Sequence, residues 1–255
     1  MRIEILGCSG GVGPGLRTTS LLIDDRLLID AGSGVEDLSL AQMRRIERIF
    51  LTHSHLDHIC GLAFMADNLF GLIDRPIQIS ALEATLAAIR RHLFNWVIWP
   101  DFFQLPSAAA PMLVERPLQP LQRQALHEGL VLTASEVAHT VPAVGYALES
   151  PTGVFAFSGD TGAGSSFIEY LNGLARVDLL MIEIAFPDED AELGEASRHF
   201  TPSRLAAELA GLRHRPELLL THHKPGSELR IEQQCRQLFA GWRYRHLRRG
   251  EVFEL

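Results

Sequence analysis

The chain holds only three cysteines, Cys8, Cys60 and Cys235, scattered and without a C-x-x-C pair. An odd, dispersed set excludes a disulfide framework and predicts reduced thiols in a cytoplasmic protein. Long apolar runs are missing too. None approaches the roughly 18 residues that a membrane span needs, so no membrane association is expected. The opening Met1-Arg2-Ile3-Glu4-Ile5-Leu6 alternates charge with apolarity and lacks the apolar core of a signal peptide. Positive charge is scarce, with 23 Lys and Arg against 31 Asp and Glu and a formal net charge of −8. A polyanion-binding surface leans the other way, so extended nucleic acid is not an expected partner, although a basic pocket for one phosphate stays open. No fixed-period repeat or low-complexity tract interrupts the chain.

What is present suffices for a sizeable core. Hydrophobic residues make up 47% of the 255 and charged residues 21%, which is ordinary globular composition and fits one α/β domain over residues 1–255. Short apolar runs predict strands at 2–6, 18–24 and 26–30, the last two a hairpin around Asp24-Asp25. Further strands are predicted before His53, at 77–80, 130–138, 143–149, 154–157, 178–183 and 217–221, and near the C-terminal end at 251–255. Helical composition covers much of 35–45, the stretch after His58, 83–92, 165–174, 202–212 and 228–240. Residues 105–120, rich in Pro and Ala, read as an irregular connection. The loop from Gly7 to Gly15 lacks both the P-loop lysine and the G-x-G-x-x-G order. It is either a flexible turn or a border of the active site.

The densest chemistry lies in His53-Ser54-His55-Leu56-Asp57-His58, between the apolar run Arg48–Leu51 and a helix-like segment. Imidazole and carboxylate are the ligands borderline divalent metals prefer. So tight a turn cannot easily give all four groups to one ion, and the spacing H-x-H-x-D-H predicts two. Other strand ends offer the missing ligands. His139 follows 132–138, Asp160 follows 154–157 and then Ser158-Gly159, and His222 follows 218–221. The expected set is His53, His55 and His139 on one ion, Asp57, His58 and His222 on the other, and Asp160 bridging. Zinc suits these donors, with manganese and iron as alternatives. Asp30, at a strand end before glycines, is expected to hold a ligand histidine or its loop in place. His92, His127, His214 and His246 stand among polar residues and read as solvated.

This order of motifs resembles the metallo-β-lactamase superfamily across nearly the whole chain, from Leu6-Gly7 to Thr221-His222. The resemblance implies a four-layer αβ/βα sandwich with a dinuclear site at the edge between its two sheets. Five blocks are similar to class II cyclic-nucleotide phosphodiesterases: His53–Leu62, Phe94–Pro100, Ile182-Glu183 with Phe186-Pro187, His199-Phe200-Thr201-Pro202, and Thr221–Pro225. The implied activity is hydrolysis of a 3′,5′-cyclic nucleotide, a small-molecule phosphodiester, by a metal-bound hydroxide. Related tRNA 3′-processing nucleases imply that His199 and Glu183 act on the transition state. His199 would stabilise charge or protonate the departing oxygen while Glu183 holds its other nitrogen, and Asp57 would orient the nucleophile. Lys224 is a phosphate contact or a solvated lysine. Trp96, Trp99 and Phe103 stack on a base or pack in the core, and the 94–103 segment is lid or core. A tRNA 3′ endonuclease is the runner-up, although no basic glycine-rich arm is visible outside residues 243–249. A lactone or thioester hydrolase and a non-catalytic metal-stabilised binding protein follow. The oligomer is left open, a homodimer included.

Overall fold

The structure is a computed structural model and describes residues 1–255 throughout. The first half runs β1 (Arg2–Gly7), β2 (Ser20–Ile23), β3 (Leu27–Ile29), α1 (Leu40–Met43), β4 (Arg48–Phe50), α2 (Leu56–Leu69), β5 (Ile77–Ala81) and α3 (Glu83–His92). A small hairpin of β6 (Pro106–Ser107) and β7 (Ala110–Pro111) leads into β8 (Leu113–Pro117). The second half begins with β9 (Arg123–Ala125), β10 (Val131–Val137), β11 (Ala143–Glu149), β12 (Val154–Phe157), α4 (Phe167–Asn172) and β13 (Leu179–Glu183). It continues through α5 (Ala191–Ser197), α6 (Pro202–Leu209), β14 (Glu217–Thr221), α7 (Glu228–Leu238), β15 (Tyr244–His246) and β16 (Val252–Glu254).

The main strands form two seven-stranded sheets, ordered β16-β1-β2-β3-β4-β5-β8 and β15-β14-β13-β12-β11-β10-β9. Each sheet joins three consecutive antiparallel pairings to three consecutive parallel ones, the antiparallel half first in the order given for the first sheet and last in that for the second. Strands β12, β13 and β14 are mutually parallel, and β10 shares their direction because it is antiparallel to β11. The C-terminal ends of all four therefore lie along one edge. Parallel β3 and β4 do the same in the first sheet.

Strand alternation builds the layers. Ile3, Ile5, Leu21, Ile23, Leu27 and Ile29 face Leu132, Val144, Tyr146, Phe155 and Met181 in one buried core between the sheets. The opposite face of the first sheet, with Leu22, Leu28, Ile49 and Ile79, is covered by side chains of α1, α2 and α3. The outer face of the second sheet, with Leu180, Ile182, Leu218 and Leu220, carries α4, α6 and α7. Each fully buried Leu or Ile contributes about 1.5–3 kcal/mol, so helices and sheets hold each other in place. The result is the expected αβ/βα sandwich. No helix is long and apolar enough to cross a membrane.

Several local readings change. The helix expected over 35–45 is a 3-10 turn, Ser33–Asp37, followed by α1. Ser39 divides them, because its hydroxyl accepts the Gln42 N–H while the Gln42 side chain accepts the Ser39 N–H. The stretch 105–120 is not wholly irregular: β8 adds to β5 as an edge strand, where Pro117 is tolerated. The 94–103 segment divides. Phe94, Phe102 and Phe103 are buried in the outer core, whereas Trp96, Val97 and Ile98 are exposed. His246 is not simply solvated, since its Nδ1 lies 2.8 Å from Nε2 of His223. His127 and His214 are half-buried and partnered, by Asp24 and the Leu171 carbonyl.

Candidate metal centre

All the candidate ligands arrive from strand ends or from the first turn of a helix. His53 leaves β4, His55 is the N-cap of α2, and Asp57 and His58 occupy that helix's first turn. His139 follows β10, Asp160 follows β12 and His222 follows β14. Close approach makes this meeting feasible. A Cβ on Gly32 would fall 2.1 Å from the Asp57 carbonyl oxygen, so only glycine lets the start of α2 dock there. A Cβ on Gly10 would fall 2.4 Å from the His222 carbonyl oxygen. The Gly7–Gly15 loop is therefore a border of the site.

Asp160 Oδ2 lies at the middle. It stands 3.8 Å from His53 Nε2, 3.3 Å from His58 Nε2 and 3.2 Å from His222 Nε2. Asp57 Oδ2 is 3.9 Å from His58 Nε2 and 3.8 Å from His222 Nε2. His139 Nε2 is 3.1 Å from His55 Nδ1. Ligand-type atoms gather in two main groups, His53 with His55 and His139, and Asp57 with His58, Asp160 and His222; a third joins His139, Asp160 and His199.

The donor chemistry fits divalent cations. Asp30 is fully buried and accepts from Thr52 N–H at 2.7 Å, Thr52 Oγ1–H at 2.8 Å and His58 Nδ1–H at 2.7 Å. With its hydroxyl proton committed, Thr52 Oγ1 can accept His53 Nδ1–H at 2.9 Å. These bonds commit Nδ1 of both rings and turn Nε2 of His53 and His58 toward Asp160. Both Nε2 atoms are buried with no hydrogen-bond partner, a costly arrangement that a cation relieves. Burial, reinforced by neighbouring imidazoles, holds His53 well below the usual imidazole range. It also brings His139 to about 4 and His222 to about 3, leaving all three in the neutral, ligating form at pH 7. Burial pushes His58 the same way, but Asp160 and Asp30 outweigh it and raise His58 well above imidazole's range. Burial would raise Asp160, yet His222 and His58 keep it well below the usual carboxylate range.

His199 sits on the same edge with a different attachment. Its Nδ1–H donates to Glu183 Oε1 at 2.7 Å, and its ring stacks on that of His222 with centroids 5.4 Å apart. Glu183, fully buried at the end of β13, also accepts the N–H groups of Thr161 and Phe200. Lys224 reaches the site as well, donating from Nζ to Gly10 O at 2.9 Å and standing 3.3 Å from His222 Nε2.

The tryptophans do not join this cluster. Trp99 packs edge-on against Phe64, with centroids 5.4 Å apart. The rise along α2 from Asp57 to Phe64 is about 10 Å at 1.5 Å per residue. Trp96 is exposed on the same loop. Sequence reasoning missed Thr52, whose only signal was its place just before the histidines. It also missed Arg198, whose carbonyl accepts His139 Nδ1–H at 3.2 Å. Asp30, Arg198 and His222 all adopt left-handed φ, at 56°, 54° and 65°. Such backbone costs on the order of 1 kcal/mol per residue and concentrates at functional sites.

Residues 25–223 match the family described as the Beta-lactamase superfamily domain. The chain belongs to the metallo-β-lactamase superfamily. As a member it is a hydrolase. It is 28% identical to the probable 3′,5′-cyclic-nucleotide phosphodiesterase of Yersinia pestis, over 82% of this chain and 71% of that protein. It is 25% identical to the 3′,5′-cyclic-nucleotide phosphodiesterase of Aliivibrio fischeri, over 81% and 74%. A ribonuclease Z of Staphylococcus carnosus is 30% identical over 49% of this chain and 39% of its own length. Among solved structures, unliganded yeast PDE1 superposes with a TM-score of 0.82 at 18% identity, covering 100% of this chain and 99% of that one. That likeness confirms the metallo-β-lactamase fold.

Proposed function

We propose that this superfamily member is a 3′,5′-cyclic-nucleotide phosphodiesterase working with two divalent ions, zinc by donor chemistry, with manganese or iron as alternatives. The observation that carries the reading is Asp160 Oδ2 within 3.2–3.8 Å of three imidazole nitrogens from three different strand ends. The two phosphodiesterase relatives, similar over most of the chain, support the choice of bond. His53, His55 and His139 would hold one ion, Asp57, His58 and His222 the other, with Asp160 shared. When bound, such a pair supplies a water ionised near neutral pH and polarisation of a phosphoryl oxygen.

The remaining work belongs to side chains. Asp57, half-buried beside His58 and His222, presents a carboxylate oxygen that can orient the attacking water. His199 has Nδ1 tied to Glu183, so its other nitrogen is free to carry a proton to the departing 3′ oxygen. Lys224, held by Gly10 O, places a positive charge beside His222 where a phosphate would enter. A small diester engages one phosphate at a buried centre and needs no basic surface.

The test is a comparison of hydrolysis rates on cyclic AMP, cyclic GMP, a pre-tRNA and a lactone, with metal content measured alongside. The highest kcat/KM on a cyclic nucleotide, with close to two ions per chain, is expected. Pre-tRNA cleavage alone would make the protein a nuclease of the ribonuclease Z kind. Lactone turnover alone would shift the bond, and bound metal without turnover would make it a binding protein.

A further inference from the structure

Beside His199, between the 162–164 loop and the junction of α5 with α6, lies a cleft of about 470 Å³. Gly162, Ala163 and Gly164 form a wall of minimal side chains, and Glu195, Arg198 and Arg204 supply the charge. His199 is the only ring on its lining. The lining therefore offers hydrogen-bonding groups and, apart from His199, no ring to stack on.

Arg198 is poised for such a grip. It caps α5 in the left-handed region, where glycine is usual and a side chain costs about 1 kcal/mol. Its backbone is bound to the centre through His139 Nδ1–H, and its Nη1 donates to the His139 carbonyl oxygen at 3.1 Å. Nη2 and Nε make no hydrogen bond within the chain, and no carboxylate pairs with the guanidinium. Glu195 faces the same cleft. Its Oε2 accepts from Arg204 Nη2 at 2.6 Å in an exposed ion pair, and Oε1 stays free.

We infer that this cleft receives the nucleobase and selects guanine; the inference rests on the phosphodiesterase reading above and specifies which cyclic nucleotide that site takes. Guanine offers two adjacent acceptors, O6 and N7, along one edge, and two adjacent donors, N1–H and the 2-amino group, along the next. The Arg198 fork satisfies the acceptors and the Glu195 carboxylate the donors. Adenine places its 6-amino donor against the guanidinium and its N1 lone pair against the carboxylate. Both edges then carry a repulsive contact, and discrimination comes from these as much as from the contacts guanine gains.

Kinetics of the intact, metal-loaded protein on the two cyclic nucleotides test this. The kcat/KM for cyclic GMP should exceed that for cyclic AMP by roughly 10- to 100-fold, the range of one to two well-made base-edge pairs. Glu195→Gln, which opposes an amide to the guanine donors, should lower that ratio at least about fivefold, mainly through cyclic GMP, with metal content unchanged. Arg198→Lys, keeping the charge but losing the fork, should do the same. Equal kcat/KM for the two substrates, or variants that slow both alike, would overturn the pocket while leaving the phosphodiesterase intact. If neither cyclic nucleotide is hydrolysed, the proposed activity fails, and calorimetric titration with 5′-GMP and 5′-AMP decides the pocket alone. Tighter binding of 5′-GMP, weakened by Glu195→Gln, supports it. Equal binding, or none, overturns it.

Discussion

His58 stands between two carboxylates: Nδ1–H donates to Asp30 Oδ2 at 2.7 Å, and Nε2, without a hydrogen-bond partner, lies 3.3 Å from Asp160 Oδ2. Asp30 thus sets from behind the orientation of a ring whose front face meets the centre, and through Thr52 it reaches His53 as well. Losing such a partner typically costs 10- to 100-fold in metal affinity. Asp30→Ala should show a loss of about that size in chelator competition, together with a lowered Tm, because it strips three buried donors of their acceptor. Unchanged metal affinity would separate Asp30 from the centre.

Metal stoichiometry tests the two-ion arrangement directly. Elemental analysis of saturated protein should approach two ions per chain, and His222→Ala should lower the occupancy. A clean single-ion site indifferent to His222 would remove the dinuclear reading.

His199 is held by Glu183 and belongs to neither of the two ion groups, so the two roles can be separated. His199→Ala should lower kcat by roughly 10²-fold or more, the usual size of an acid–base contribution, at constant metal content. A parallel loss of metal would show that its role is to support the centre.

The Glu183–His199 pair also fixes a sign for the pH dependence. Burial favours neutral His199, but the Glu183 carboxylate outweighs it and raises the imidazole above its ordinary range. The protonated donor is then held to higher pH than on a free imidazole and is lost as pH rises. Removing the carboxylate in Glu183→Gln should lower that pKa and move the alkaline limb of the kcat profile to lower pH. A limb that stays in place would assign the proton to another group.

Salt separates a small diester from RNA. Arg243 and Arg245 share Glu217 at 3.1 and 2.6 Å and Arg249 pairs with Asp37, so three of the tail's four arginines already sit beside a carboxylate. Activity on a cyclic nucleotide should change by less than about threefold between 50 and 200 mM salt, whereas six to ten phosphate contacts would cost about 10³–10⁵ in affinity. Replacing Arg243, Arg245, Arg248 and Arg249 together should leave kcat/KM nearly unchanged. Pre-tRNA cleavage that collapses with salt or with those substitutions would favour the nuclease.

Where chemistry leaves the strands is legible from the residues alone. His53 to His58, His139, Asp160 and His222 each follow a short apolar run, and burial of such a run is a local property that composition reports directly. Asp30, at a strand end before glycines, was legible for the same reason. Which strand ends share an edge emerges only in the folded chain, because parallel pairing depends on crossovers tens of residues long. That pairing brings His139, Asp160, Glu183 and His222 together, and it sets the Arg198 carbonyl against His139 although 59 residues separate them. His246 reads as solvated from its polar neighbours, yet β15 pairs with β14 and carries it to His223. Trp96 and Trp99 read from composition as a stacking platform or as core, and the fold separates the two: Trp99 packs edge-on against Phe64 of α2, while Trp96 stays exposed on the same loop. Local hydrophobicity fixes the ends of elements; the contacts between those ends exist only once both sheets close on one core.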